Sequence, residues 1–114
     1  MPDCGKEDQR ADRRRHPRFS FDEPLILTTE DVSVVVGRSL DISVAGLGGL
    51  LVSGSWSTGS LVNLEFPILD RISLKLRAAL RNRSGNRYGF EFVGLTSTEN
   101  SLVQRTCEAL RPVE

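Results

Sequence analysis

Apolar and polar side chains alternate through most of this chain, and that alternation sets its class. Val32, Val34, Val36, Leu40 and Ile42 share one parity, with Arg38 as the exception, while Ser33, Gly37, Ser39, Asp41 and Ser43 share the other. Successive residues of a strand point to opposite faces, so the first set is expected in a core and Asp41 and Ser43 away from it. The rhythm returns at Val62, Leu64, Phe66 and Ile68, at Ile72, Leu74, Leu76, Ala78 and Leu80, and at Tyr88, Phe90 and Phe92. Pro67 marks an edge or a strand end, because proline has no N–H to give a ladder. Ser53-Gly54-Ser55, Ser57-Thr58-Gly59 and Arg83-Ser84-Gly85-Asn86 supply turn chemistry between the runs. Several short strands with one apolar face predict a mainly β domain, a small sandwich or barrel, and closure of the sheet would remove exposed edges.

The period of two ends near residue 95. Thr96 and Glu99 form a capping-box pair, and Leu102, Val103, Thr106, Cys107 and Leu110 recur at helical spacing, so a C-terminal helix is expected over about residues 98–110, stopped by Pro112. Residues 1–12 are polar and charged and read as a flexible tail ahead of one domain at 13–111. A chain of 114 residues can bury a core without disulfide or metal.

Charge and composition narrow the function. Fifteen Lys and Arg balance fifteen Asp and Glu, whereas a protein that coats a duplex carries a positive excess, so no DNA or RNA partner is expected. Locally the balance breaks: Arg10, Arg13, Arg14, Arg15 and Arg18 face only Asp12 between residues 10 and 18, and such a segment attracts a compact anion. Cys4 and Cys107 belong to no C-x-x-C or Cys/His cluster, which argues against a zinc site and fits reduced thiols in the cytoplasm. No apolar run reaches transmembrane length and Met1 to Asp8 lacks a hydrophobic signal region, so neither membrane insertion nor export is expected. His16 is the single histidine, and no P-loop, dinucleotide fingerprint or HExxH is present. The chain reads as a non-enzyme with no metal and no cofactor.

Two motifs remain. Arg14-Arg15-His16-Pro17-Arg18 reads R-x-x-x-R, and Asp41-Ile42-Ser43-Val44-Ala45-Gly46 reads D-x-S-x-x-G. Taken singly, the first is a common basic run and the second an ordinary strand-to-turn junction. The planar fork of arginine bonds phosphate oxygens or guanine O6 and N7 bidentately. A carboxylate at Asp41 accepts from guanine N1–H and N2–H2, Ser43 can bond a phosphate or a base edge, and Gly46 would allow a positive φ or a close backbone approach to a ligand.

In this order, followed by Tyr88-Gly89-Phe90-Glu91-Phe92 and a helix, the motifs resemble the PilZ domain family, bacterial receptors for cyclic di-GMP. The resemblance spans roughly residues 13–111. It implies a six-stranded antiparallel Greek-key β-barrel with a C-terminal helix and a flexible N-terminal arm. It implies Arg14 and Arg18 as ligand-clamping arginines, with Asp41, Ser43 and Gly46 as the barrel half of the site. Arg13 resembles the residue of family members that take an intercalated ligand pair, and Arg81 stands where the family often carries a basic residue. The implied role is a receptor or adaptor that orders its arginine loop, from about Arg10 to Phe19, on cyclic di-GMP and signals to a downstream protein. Two rival readings stand beside it: a barrel that binds single-stranded nucleic acid through outward aromatics, and a scaffold that binds protein without any ligand. Trp56 is expected to pack on the barrel end.

Overall fold

The computed structural model describes residues 16–52 and 56–110. The expected tail at 1–12, Arg13, Arg14, Cys4, Ser53-Gly54-Ser55 and Pro112 lie outside the described residues. Seven strands follow in chain order: β1 (Phe19–Ser20), β2 (Pro24–Thr29), β3 (Val34–Ile42), β4 (Gly46–Leu51), β5 (Leu61–Pro67), β6 (Ser73–Ser84) and β7 (Arg87–Phe92). Among the described residues a 3-10 turn (Leu69–Arg71) joins β5 to β6, and one α-helix, α1 (Ser97–Glu108), comes last. All pairings are antiparallel. The order β3-β2-β5-β6-β7-β4 closes on itself through β3–β4, giving a six-stranded barrel, and the two-residue β1 adds to the outer side of β3. Strands β2, β3 and β4 are neighbours in turn and β5 returns beside β2, which is the Greek-key path.

The core forms where the alternation predicts it on three strands, β5, β6 and β7, and β2 adds to it. Leu25 and Leu27, then Val62, Leu64 and Phe66, then Leu74, Leu76, Ala78 and Leu80, then Tyr88, Phe90 and Phe92 all point inward and are buried. Pro67 ends β5, and Gly85 takes φ +63° at the two-residue turn between β6 and β7, a conformation that suits glycine. Phe66 stacks on Phe92 and meets Phe21 edge-on, filling the barrel. Trp56 packs edge-on against Tyr88 at 5.5 Å and joins the core at the barrel end. The capping box forms: Thr96 Oγ1 accepts from Glu99 N at 3.1 Å, and Glu99 Oε1 accepts from Thr96 N at 2.9 Å. The helix buries Val103, Thr106 and Cys107. Burial pushes the Cys107 thiol up to about 11, so it stays protonated at neutral pH. No helix among the described residues is long and apolar enough to cross a membrane.

Strand β3 departs from the expected parity. Val32, Val34 and Val36 face solvent, at 75%, 59% and 58% exposure, whereas Ser39 is fully buried and Ile42 is in the core. The cause is a bulge between Ser39 and Asp41 in the pairing with β4. One extra residue exchanges the two faces, so the first half of β3 has the opposite phase to the second. Ser39 tolerates burial because its Oγ accepts from Glu23 N at 3.0 Å and lies 2.7 Å from Phe21 O, an acceptor for its proton. Asp41, beyond the bulge, points outward as expected.

Val32 also carries a strained backbone, with φ +67° in the β2–β3 turn. A β-branched residue is disfavoured there by roughly 1–2 kcal/mol, whereas Asn tolerates it. Val32→Asn is therefore expected to stabilise the fold by about 1 kcal/mol. A higher urea midpoint at unchanged slope would show this, and an unchanged midpoint would contradict it.

Candidate functional site

The outward face beyond the β3 bulge gathers the D-x-S-x-x-G motif and the end of R-x-x-x-R. Strand β1 brings them together: Phe19 pairs with Ile42 and Ser20 with Asp41. Phe19 is half-buried against the core and so anchors the chain entering the barrel. This shortens the expected mobile segment, because Phe19 is already held in β1. Arg18 Nε lies 3.3 Å from Asp41 Oδ1. The two side chains differ sharply in exposure, 60% for Arg18 and 14% for Asp41. With one partner mostly in water the ion pair contributes little and opens cheaply. Asp41 Oδ1 itself is buried and accepts no hydrogen bond among the described residues. A desolvated acceptor without a donor is costly in a fold and therefore points to use by something else.

The other two motif residues serve the β3–β4 turn. Ser43, expected away from the core, is instead buried at 8% exposure, because its Oγ turns back into the turn and accepts from Ala45 N at 3.1 Å and Gly46 N at 3.2 Å. Ser43 N in turn donates to Gly46 O at 2.8 Å. This fixes the chain reversal directly after Asp41. The hydroxyl proton has no acceptor among the described residues, so Ser43 keeps one donor. Gly46 is required for a different reason than expected. Its φ is not positive, and the close neighbour is β7 rather than a ligand: a Cβ there would sit 2.1 Å from Phe90 O.

Residues outside both motifs complete the surface. Gly48 pairs with Asp41 and also with Gly89, and Gly89 pairs with Asn82 on β6. A Cβ on Gly48 would lie 2.8 Å from Asp41 Oδ1, and one on Gly89 would lie 2.5 Å from Asn82 Oδ1. The carboxylate and the amide thus lean over glycines. Gly48 stands two places after the motif and was readable as part of it. Asn82 is brought in by pairing between distant strands and carries no local signal.

The remaining candidates sit apart. Arg81 pairs with Glu91 at 2.5 Å, and both are half-exposed. His16 is exposed at the start of the described chain. Tyr88, Phe90 and Phe92 are 2%, 5% and 8% exposed, so these three form no outward stacking platform. No group of three or more His, Cys, Asp or Glu able to hold a metal occurs among the described residues.

Comparison with known proteins adds three findings. A family model, the PilZ domain, matches residues 12–109. An uncharacterized protein of Aquifex aeolicus is 31% identical over 102 residues, covering 87% of this chain and 50% of the relative, so the chain spans about half the length of the curated relative it matches. Among solved structures, the PilZ domain of YcgR from Escherichia coli with c-di-GMP superposes at a TM-score of 0.72 with 22% identity, covering 86% of this chain and 91% of that one. The Bacillus subtilis inhibitor of motility MotI/DgrA superposes at 0.70 with 16% identity, covering 85% and 50%. At these identities the structural likeness is one of fold.

Proposed function

Because this chain belongs to the PilZ domain family, we propose that it is a non-catalytic receptor for cyclic di-GMP, taken between the arginine segment and the Asp41 face. The observation that carries this reading is the meeting of the two motifs: Arg18 at 3.3 Å from an otherwise unbonded, buried Asp41 oxygen. Cyclic di-GMP supplies what each half lacks. Guanine N1–H and N2–H2 are the donors that Asp41 is missing. The phosphodiesters are the acceptors to which Arg18 can turn once a base takes its place on the carboxylate. Arg14 precedes Arg18 by four residues and Arg13 by five, so both enter on the same segment. They close over the phosphates, and Arg13 favours an intercalated pair of ligands. The proton of Ser43 serves a phosphate or base edge at the rim. Gly46 acts through the turn that holds Ser43 and Asp41, not by touching ligand.

The output follows from charge. Residues 10–18 carry five arginines against one aspartate, and the ligand's phosphates neutralise that excess. Ordering this segment over the β3–β4 turn creates a surface that a downstream protein can read, in the cytoplasm and without membrane insertion. The buried aromatics count against the single-stranded nucleic-acid reading, and the unbonded Asp41 oxygen counts against a ligand-independent scaffold.

A calorimetric titration tests the proposal. Cyclic di-GMP should bind saturably at two ligands per chain, while oligonucleotides should bind weakly and lose affinity steeply with salt. Absence of cyclic di-GMP binding, or tight oligonucleotide binding in its place, would overturn the receptor reading. One ligand per chain would remove the role given to Arg13.

A further inference from the structure

We propose that the outer face of β2, β3 and β4 packs on the same face of a second copy of this chain, related by a twofold axis. This does not depend on cyclic di-GMP, and it concerns the half of β3 before the bulge. Val34-Val35-Val36 is an unbroken apolar run, the pattern of a strand covered on both faces. One face is covered: Val35 packs against the core, whereas Val34 and Val36 are exposed. Register extends them into a patch. Ile26 on β2 pairs with Val36, and Leu50 on β4 pairs with Arg38. Val52 follows Leu51, which pairs with Gly37, so it stands beside Val36. Ile26, Leu50 and Val52 are exposed as well. An antiparallel sheet ordinarily turns polar side chains to water on such a face. These aliphatic side chains together form an apolar patch of roughly several hundred Å², the size that marks an interaction surface.

Charge complementarity identifies the occupant. Glu30 and Asp31 stand in the β2–β3 turn at one end of the patch, and Arg38 stands at the other, about 23 Å from Asp31 along β3. A twofold axis across β3 near Val35 sets the second copy's strand antiparallel to the first. Val34 then lies on the second copy's Val36, and Arg38 reaches the second copy's acidic turn, each contact occurring twice. Arg38 Nε holds Asp22 at 2.7 Å, but both side chains are more than half exposed, so that pair yields at little cost. With its polar rim the face reaches the low end of a stable interface, about 600 Å² per partner. Fifteen cationic residues balance fifteen acidic ones, so two copies feel no net repulsion. The rest of the sequence offers the valines little: residues 1–15 contain no Val, Leu, Ile, Phe, Trp or Tyr, and 53–55 are Ser-Gly-Ser.

Sedimentation velocity of the full chain, from about 1 to about 300 µM, tests the pairing by mass action. The wild type should pass from one chain to two as concentration rises, and the amide resonances of Val34, Val36 and Val52 should shift over the same range. Val36→Lys sets two like charges near the axis and should weaken association by more than about 10-fold. Val36→Thr keeps the β-branched shape and should weaken it less, and it decides the matter if thermal melts show that Val36→Lys has not folded. Arg38→Glu should also weaken association, and adding Glu30→Arg to it should restore the wild-type value to within about threefold, because each reversed charge again meets its opposite. A wild type that stays a single chain throughout overturns the second-copy assignment and leaves the face to a different protein. A dimer that folded Val36 variants leave unchanged overturns it too. Failure of Glu30→Arg to rescue Arg38→Glu overturns the antiparallel arrangement.

Discussion

Asp41→Ala is expected to lose cyclic di-GMP affinity by more than 100-fold while the protein melts no lower than the wild type. The two halves of this result have one cause. In the receptor reading the carboxylate accepts two charge-assisted hydrogen bonds from guanine, each worth about 1.5–3 kcal/mol, or on the order of 10- to 150-fold. In the fold the same carboxylate is a liability. Its Oδ1 is buried without a hydrogen bond among the described residues, and the nearby Arg18 is 60% exposed, so little stabilisation is lost with the pair. Removing an unsatisfied acceptor relieves its desolvation, and stability should hold or rise by up to about 1 kcal/mol. A residue kept for folding would show the reverse split. Arg18→Ala should likewise weaken binding strongly at unchanged melting temperature. Near-native binding by both variants would sink the site.

How much of this was legible in the sequence depended on the range of the interaction. The capping box of Thr96 and Glu99, the proline that ends β5 and the glycine turn at Gly85 are local, and each formed as read. Alternation located the inward faces of β5, β6 and β7 because those runs stay in phase over their buried residues. It failed on the first half of β3, because a bulge leaves no residue pattern of its own. Val34 and Val36 look like core until the extra residue before Asp41 is counted. Asp41 was placed correctly because it lies beyond the bulge, next to the inward-facing Ile42 and therefore on the opposite face.

The site shows the same division. Asp41 and Arg18 were found as members of motifs, although their 3.3 Å approach depends on a two-residue strand too short to predict. Asn82 was invisible, since nothing near it in the chain marks it as the partner of Gly89. The meaning of Gly46 was also hidden. A glycine in a binding motif invites a ligand explanation, and only the packing of β4 on β7 supplies the competing one.

That competition yields the second large effect. Gly46→Ala is expected to destabilise the barrel by about 3 kcal/mol or more, lowering Tm by roughly 15 °C. The added methyl would meet a backbone carbonyl, Phe90 O, at 2.1 Å, and a carbonyl within a ladder cannot swing aside as a side chain can. Relief requires opening the β4–β7 seam where Gly46 pairs with Glu91, and that seam supports the turn carrying Ser43. Gly48→Ala makes the contrast. Its methyl would meet Asp41 Oδ1 at 2.8 Å, a side chain able to rotate, so stability should fall much less while ligand affinity drops, because the carboxylate is displaced. Gly94 has open space but φ +65°, so Gly94→Ala should cost only the backbone term, roughly 1–2 kcal/mol. Chemical denaturation of the three variants beside their cyclic di-GMP titrations ranks them. If Gly46→Ala melts like the wild type yet fails to bind, Gly46 is a ligand contact after all and the packing account of the motif's last residue is wrong.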